Sequence, residues 1–226
     1  QDGEELLDHA RAIVAMHDEA VARLSSSKLT GRVRVGANEE ITASQLVDLL
    51  GRFDRIHPRA SVEYHVEQSN VLARMLGKGE LDVAVFQVAE DEVRPTDQVL
   101  WNDELAWAVS ATQPVTEAPL PLVSYGTECC YLPLATRVLD ATHKSHRHVF
   151  SGQSRASVEA AIAAGLGVGV VSRRQLSDDL VEWEPPFDLP ALPRMCQIVR
   201  HRKEPIPPIA DALVSELVVE LSPPVT

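Results

Sequence analysis

The sequence predicts an α/β protein, and three observations lead to that class. Strand-like and helix-like segments alternate between residues 31 and 86, which is the pattern of a βαβαβ unit. A similar alternation follows between residues 105 and 171. Residues 82–86 form a nearly continuous apolar run, which is typical of a strand inside a parallel sheet.

The first predicted element is a helix over residues 4–25. Leu7, Val14 and Val21 recur at intervals of seven residues, as the buried positions of a coiled coil do. Because three heptads are short for an independent coiled coil, we expect this helix to pair with a partner chain or a neighbouring domain. An amphipathic helix packed on its own domain is the alternative.

The first βαβαβ unit contains three short strands and two helices. Its first helix ends at His57-Pro58, because the residue before a proline is disfavoured in a helix. Its second helix ends at Gly77 and Gly79, since glycine is common just past a helix end. The predicted strands are 32–35, 62–66 and 82–86, and the predicted helices are 46–56 and 72–76.

A second βαβαβ-like unit follows an acidic and polar connection over residues 87–98. Four prolines between residues 184 and 194 then indicate an extended linker. Pro207 and Pro208 mark the start of a last helix, because proline is favoured in the first helical turn. The predicted strands of this half are 105–109, 122–124, 148–150 and 168–171, and its helices are 132–141 and 156–164. A further strand over residues 195–199 follows the linker.

The composition excludes several classes of protein. The 226 residues suffice for one large domain or two small ones. The net charge of −12 disfavours direct contact with nucleic acid, whose phosphates it would repel. No apolar run approaches the roughly 18 residues of a transmembrane helix, and no secretory signal is visible. Three cysteines, two of them adjacent, make no disulfide framework, so we expect a reducing compartment.

Four short motifs stand in the order typical of one known family. They are GRVRVG at 31–36, FDRIHP at 53–58, GELDVA at 79–84 and AAGLGVGVV at 163–171. Together they resemble the effector-binding domain of LysR-type transcriptional regulators over about residues 29–221. The resemblance implies two Rossmann-like subdomains with a cleft between them, a fold similar to that of type 2 periplasmic binding proteins. Crossover strands near residues 101–107 and 196–200 would join the two.

The resemblance also implies how the chain divides. Residues 1–28 would be a linker and dimerisation helix. Residues 29–101 and 198–226 would form the first regulatory subdomain, and residues 102–197 the second. The chain opens at Gln1 without an initiator methionine, so we expect a piece of a longer protein. The winged helix-turn-helix of the family would lie before it.

By the same resemblance, the expected function is effector sensing, in which a small molecule in the interdomain cleft modulates transcription. The expected partners are that effector and further copies of the chain, in a homodimer or homotetramer. Residues 72–76 of one copy would pack against residues 158–164 of another. DNA would be bound only through the winged helix-turn-helix. We expect a cytoplasmic location, no membrane contact, no cofactor, no metal and no catalysis.

Two other functions remain open from the sequence alone. A free-standing solute-binding protein of the same fold would transport its ligand rather than regulate transcription, and the absent signal and the heptad pattern disfavour it. An enzyme on the same bilobed fold is the second alternative. It is disfavoured because no nucleophile–base pattern stands out.

The candidate ligand site follows from the fold class. In open α/β sheets, ligands bind outside the carboxyl ends of the strands, and two facing subdomains make a cleft there. The loops expected to line this cleft are 38–42, 68–70, 86–87, 125–130 and 152–155. Within them, the residues expected to bind the ligand are Glu39, Glu40, Ile41, Ser69, Asn70, Phe86, Gln87, Thr127, Glu128, Cys130, Gln153 and Ser154.

At two of these positions the resemblance implies a contact with the effector. The family contacts its effector from the first loop and from a hydroxyl residue that opens the second helix, which are the positions of Glu40 and Ser69. Ser69 could equally act as a plain helix N-cap, and the two roles are compatible. For Glu39 and Glu40, simple capping of a helix N-terminus is the favoured alternative, because acids suit the helix dipole there. If they face the cleft, they argue against a simple carboxylate effector.

Two side-chain clusters have less specific interpretations. Cys130 followed by Tyr131 resembles a subgroup in which a cysteine and an aromatic residue open this helix. A redox sensor needs an exposed thiolate with a resolving partner, so buried or cleft-lining thiols are the simpler expectation. The spacing of His143, His146 and His148 is weak for zinc, and a solvated basic loop is expected there.

The glycines at 165, 167 and 169 do not form a dinucleotide-binding fingerprint. They precede or lie within a strand, whereas that fingerprint opens a helix after a strand. We expect a helix C-cap and a close backbone approach instead, with Gly169 possible at the border of the cleft.

Overall fold

The described residues of the computed structural model form two five-stranded sheets with helices on both faces. These residues are 29–42, 46–113, 115, 119–203 and 205–222, with isolated positions between residues 6 and 20. Leu7 and Val21 of the predicted heptad helix over 4–25 lie outside the described residues, so that helix stays a prediction.

Ten strands and six helices make up this part of the chain. The strands are β1 Gly31–Ala37, β2 Ala60–Val66, β3 Val83–Ala89, β4 Gln98–Asp103, β5 Leu105–Ser110, β6 Leu120–Ser124, β7 His146–Ser151, β8 Val168–Ser172, β9 Leu180–Glu182 and β10 Met195–His201. The helices are α1 Glu39–Thr42, α2 Leu46–Ile56, α3 Ser69–Gly77, α4 Tyr131–Ala141, α5 Arg155–Ala163 and α6 Pro208–Leu221. Short 3₁₀ turns cover Glu90–Glu92 and Arg173–Gln175.

The first sheet is mixed, with the strand order β2-β1-β3-β10-β4. β1 runs parallel to β2 and β3, whereas β10 runs antiparallel to β3 and β4. The expectation of a parallel environment for residues 82–86 is therefore only half correct. β3 is buried on both faces because helices cover both, and not because both neighbouring strands are parallel to it.

The side chains of the first sheet alternate between two cores, as the pleat of a strand requires. Val83 and Val85 point to the side where α2 and α6 pack, with Phe53 of α2 fully buried. Ala84 and Phe86 point to the opposite side, where Leu72 of α3 is fully buried. The helices therefore cover both faces of the sheet, as in doubly wound α/β folds.

The second sheet repeats this arrangement with the order β7-β6-β8-β5-β9. β6 runs parallel to β7 and β8, and β5 runs antiparallel to β8 and β9. α4 packs on one face through Leu139, and α5 packs on the other through Val158 and Ile162. The chain passes from the first sheet to the second at Glu104 and returns through residues 183–194, which contain no helix or strand.

Three segments differ from the sequence-based expectation: residues 87–98, β4 and β9. The segment 87–98, expected to be a connection, begins with the end of β3 and finishes at the first residue of β4. β9 was not predicted as a strand, and β4 was expected only through the crossover near residues 101–107. β9 has only three residues, of which only Leu180 is buried, so its apolar pattern is too short to recognise.

None of the helices in the described stretches is long and apolar enough to span a bilayer.

Two glycines between α5 and β8 have separate structural roles. Gly165 has φ of +77° and ends α5, because its N–H donates to the carbonyl of Ile162 (2.8 Å) and the next N–H donates to that of Ala161 (3.1 Å). Such a left-handed position suits glycine. Gly167 packs against the backbone of Pro121. The expected C-cap and close approach are therefore confirmed.

Gly167→Ala is expected to lower the free energy of unfolding by about 2 kcal/mol. A Cβ at this position would lie 2.3 Å from the carbonyl oxygen of Pro121, a backbone atom that cannot rotate away. The matched control is Gly77→Ala at the end of α3, where a Cβ meets nothing within 4 Å. Urea denaturation of both variants provides the measurement, and equal stabilities would contradict the prediction.

Candidate functional site

A cavity of about 370 Å³ lies between elements of the two sheets. Its lining includes residues at the carboxyl ends of β1, β2 and β6 and the first residues of α3, α4 and α5. This is the position that ligands occupy in open α/β sheets. Its lining residues are Asn38, Glu39, Glu40, Val66, Glu67, Gln68, Ser69, Gln87, Tyr125, Cys129, Cys130, Tyr131, Gln153, Ser154, Arg155 and Gln175.

The structure brings seven of the twelve predicted site residues to this wall. These are Glu39, Glu40, Ser69, Gln87, Cys130, Gln153 and Ser154. The other five lie elsewhere: Ile41 and Phe86 are buried in the hydrophobic cores, Thr127 and Glu128 are exposed, and Asn70 is half-buried away from the cavity. Phe86 is directed into the core because successive residues of a strand point to opposite faces and Gln87 takes the cavity face.

Nine lining residues were not among the twelve. Five of them belong to the predicted loops, namely Asn38, Gln68, Tyr125, Cys129 and Arg155. Val66, Glu67, Tyr131 and Gln175 lie outside those loops. The same rule could have found Val66, Glu67 and Gln175, because each lies at the carboxyl end of a strand or within three residues beyond it, β2 for the first two and β8 for the third.

A hydrogen-bond network centred on Gln87 forms the floor of the cavity. Its side-chain nitrogen donates to Glu40 Oε2 (2.9 Å) and Asp103 Oδ2 (3.2 Å), and its side-chain oxygen accepts from the Tyr131 hydroxyl (2.6 Å). Its backbone N–H donates to Ser69 Oγ (3.2 Å). The side-chain amide and the backbone N–H of this buried glutamine therefore all have hydrogen-bond partners. Its backbone carbonyl lies within strand β3 of the sheet. Gln87 thus fixes the two acids relative to the tyrosine.

Glu40 is the most perturbed acid of the site. Burial, followed by repulsion from Asp103, raises its pKa to about 7, and Arg155 and Arg174 act in the opposite direction. Asp103 is almost fully buried and accepts a hydrogen bond from Ser172 Oγ (2.8 Å). Near neutral pH, Glu40 therefore exchanges a proton readily, and its charge responds to whatever enters the cavity.

Several contacts close the cavity by joining elements of the two sheets. Gln68 Nε2 donates to the carbonyl of Tyr125 (2.7 Å). Glu39 Oε2 accepts from the backbone N–H of Arg155 at the start of α5 (2.8 Å). Outside the cavity, Arg74 pairs with Glu128 (2.5 Å). All three contacts join elements of the two sheets, so they respond to a change in the distance between the sheets.

The structure tests the helix-capping interpretations of Ser69 and of Glu39 and Glu40. The N-cap of α3 is Gln68, and Ser69 is the first helical residue, whose hydroxyl accepts from Gln87. The interpretation of Ser69 as the N-cap is therefore wrong. Glu39 and Glu40 do begin the short helix α1, and Glu39 also supplies an acceptor to the first turn of α5.

The cysteines and histidines have local partners. Cys129 and Cys130 are free thiols, and hydrogen bonding from Cys130 and from backbone N–H groups lowers the pKa of Cys129. His148 Nε2 lies 2.6 Å from Ser124 Oγ, and His146 Nδ1 lies 3.2 Å from the carbonyl of Lys144. Within the described residues, no group of three histidine, cysteine or acidic side chains could hold a metal ion.

Known proteins share both the sequence pattern and the fold. The profile of the LysR substrate binding domain matches residues 26–221. The HTH-type transcriptional regulator DgdR of Burkholderia cepacia is 29% identical over 192 residues, which are 84% of this chain and 65% of that protein. PecT of Dickeya dadantii (strain 3937) is 26% identical over 194 residues, 85% of this chain and 61% of that protein. The chain thus spans less than two thirds of the length of these relatives.

Solved structures confirm the predicted fold class. The effector binding domain of QuiR in complex with shikimate has a TM-score of 0.60 at 12% identity, covering 84% of this chain and 96% of that one. The regulatory domain of CcmR from Synechocystis PCC6803, in complex with 2-PG, has a TM-score of 0.60 at 16% identity, covering 84% and 97%. At these identities the likeness concerns the fold, which is the α/β fold of LysR regulatory domains.

The order of the strands, the cavity at their carboxyl ends and the profile that covers most of the chain lead to one assignment. The protein belongs to the LysR substrate-binding domain family.

Proposed function

We propose that this chain is the effector-sensing part of a LysR-type DNA-binding transcriptional regulator. The observation that carries the proposal is the cavity between the two sheets, lined at the strand ends where this fold class binds ligands. The curated relatives are HTH-type transcriptional regulators, and the similar structures of QuiR and CcmR are complexes with small molecules. The family is one of regulatory substrate-binding domains and not one of enzymes.

The proposed mechanism is a shift between two arrangements of the sheets. A small molecule in the cavity touches both sides, so it favours the arrangement in which its contacts to both are best. The bonds from Gln68 to Tyr125 and from Glu39 to Arg155 cross the same space and would change with it. The altered arrangement would pass to DNA-binding domains through the oligomer.

The proposal includes a division of the chain into subdomains. Residues 29–101 with 198–226 would form the first and residues 102–197 the second, as the resemblance to the family implies. β4 reaches Asp103 and β10 begins at Met195, so the sheets suggest boundaries a few residues from these. Residues 1–28 would form the linker helix.

The proposed partners are a small-molecule effector, further copies of this chain in a dimer or tetramer, and DNA through a winged helix-turn-helix. Of the predicted ligand-binding residues, we retain the seven that line the cavity. A protein that acts on DNA in this way would work in the cytoplasm. The pair Ser124 and His148 supports no catalytic proposal, because neither residue lines the cavity of about 370 Å³.

Gln68→Ala is expected to weaken effector binding by about tenfold. The change removes a polar side chain from the cavity wall together with its hydrogen bond to the Tyr125 carbonyl. The matched control is Glu128→Gln, which breaks another contact between the sheets but at an exposed site outside the cavity. That control should change binding by no more than about threefold, since exposed ion pairs contribute little.

The experiment is a thermal-shift screen of small molecules, followed by DNA-binding titrations of the full-length regulator with each hit. The proposal expects at least one hit to change the DNA affinity or footprint and to bind Gln68→Ala more weakly than Glu128→Gln. A full-length protein whose DNA binding no small molecule affects would overturn the proposal.

A further inference from the structure

The wall of the cavity carries more acidic than basic side chains. Glu39, Glu40 and Glu67 line it, and Arg155 is the only lysine or arginine among the described lining residues. The guanidinium of Arg155 donates from Nε to Glu159 (2.5 Å), so its charge already has a partner. A cavity with this balance attracts positive charge.

The helix ends at the wall do not reverse this balance. Each helix N-terminus carries about +0.5 charge, and four helices begin here, of which the single turn α1 opens with the two acids Glu39 and Glu40. At α5, the carboxylate of Glu39 already accepts the N–H of Arg155. At α4, the sulfur of Cys129 accepts the N–H of Tyr131 (3.4 Å). The N-cap residues of α3 and α4 make no side-chain cap hydrogen bond, but Cys129 covers one N–H of α4, and the partial charge that remains at α3 does not outweigh Glu40.

Two acceptors of the wall lack a donor, but only one of them, in the carboxylate of Glu40, is open to a ligand. Gln68 Oε1 is buried and has no hydrogen-bond partner within the described residues, although its Nε2 donates to Tyr125. The carboxylate of Glu40 is held at one oxygen by Gln87, and its second oxygen receives no hydrogen bond from a described residue. A buried acceptor without a donor is unfavourable, so the second oxygen of Glu40 favours a ligand that donates a hydrogen bond.

We propose that the effector carries a protonated amine that donates a hydrogen bond to the carboxylate of Glu40. This inference rests on the proposed function and names the chemical class of its effector. Tyr125 and Tyr131, whose rings meet edge to face with centroids 5.9 Å apart, lie at the same wall. Aromatic rings beside a carboxylate favour an ammonium group over a carboxylate ligand.

The ionisation of Glu40 gives the proposal a pH signature. The groups that face it are Asp103 from β4, Arg155 from α5, Arg174 from the turn after β8 and the phenol of Tyr131 from α4. With a pKa of about 7, Glu40 must lose a proton to bind an ammonium group at lower pH. Amine affinity is therefore expected to rise about tenfold from pH 6 to pH 8, whereas the affinity of a carboxylate would fall.

The test compares molecules that share a carbon skeleton and differ in charge. Benzylamine, benzyl alcohol and benzoate form one set, and isobutylamine, isobutanol and isobutyrate form another. Binding is measured by calorimetry at pH 6, 7 and 8 with the wild-type chain, with Glu40→Gln and with the matched surface change Glu80→Gln. We expect the amines to bind at least tenfold more tightly than the alcohols, and Glu40→Gln alone to remove that preference and the pH slope.

Each contrary outcome has a separate meaning. Tighter binding of the carboxylates, with affinity that falls from pH 6 to pH 8, overturns the amine while effector sensing stands. A preference for amines that survives in Glu40→Gln overturns the assigned position of the amine. If neither these sets nor any molecule of a wider screen binds the chain or alters DNA binding by the full-length regulator, the proposed function itself is overturned.

Discussion

Asp97→Asn is expected to lower the free energy of unfolding by about 3 kcal/mol or more. Asp97 and Arg200 form a two-point ion pair, with Nε to Oδ1 at 2.7 Å and Nη2 to Oδ2 at 2.6 Å. Their side chains are 0% and 7% exposed. Asp97 also accepts the backbone N–H of Arg94 (2.8 Å), so one carboxylate holds the turn before β4 against β10. Asparagine keeps the shape but leaves the Arg200 charge buried without its partner.

The arrangement of Arg200 explains why the cost is large. Its guanidinium carbon lies 5.2 Å from the centre of the Phe86 ring, in the core beneath α3. Water cannot replace the lost carboxylate at such a position, and breaking a buried pair costs about 3–5 kcal/mol for that reason. Removing both charges with Asp97→Asn and Arg200→Met together should recover part of the loss.

Urea denaturation measures the effect, and Asp91→Asn is the matched control because Asp91 is exposed in the preceding 3₁₀ turn. The control should stay within about 0.5 kcal/mol of the wild type. A loss of under 1 kcal/mol for Asp97→Asn would mean that solvent reaches Arg200 and that the pair does not fasten the turn.

The spacing of apolar residues predicts the helices and buried strands well and the sheet edges poorly. It predicts α2 at its observed bounds, because a helix with one buried face repeats every three to four residues. β4 alternates weakly and β9 is very short, so neither has a clear pattern. The direction of β10 depends on how the chain returns from the second sheet, which is a property of the whole fold that local periodicity does not contain.

The site was predictable as a set of loops but not as a set of side chains. The rule that ligands bind at the carboxyl ends of strands leads to the loops that hold Glu40 and Gln153. It does not distinguish Phe86 from Gln87, which are neighbours in sequence and point to opposite faces of β3. Contacts such as that between Glu39 and Arg155 join residues far apart in the chain, and no local pattern marks them.

Gln87→Met is expected to lower the free energy of unfolding by about 3 kcal/mol and to abolish the effector response. The side-chain amide of Gln87 donates to Glu40 and Asp103 and accepts from the Tyr131 hydroxyl. A methionine side chain cannot replace any of these three hydrogen bonds. The two acids would then face each other without the shared donor. Tyr131→Phe, which removes one of the three bonds, should cost only about 1 kcal/mol.

The pH dependence of this loss distinguishes the network from simple packing. Burial and Asp103 raise the pKa of Glu40 to about 7, above its value in the unfolded chain, so the folded state binds the additional proton between roughly pH 4.5 and pH 7. Stability from that proton is present at low pH and is lost as the pH rises through 7. Repulsion between the two acids, no longer bridged in Gln87→Met, therefore weakens the variant more at pH 8 than at pH 5. The same substitution at the exposed Gln98 of β4 should show neither the loss nor the pH dependence, and a loss that is equal at both pH values would assign Gln87 a packing role alone.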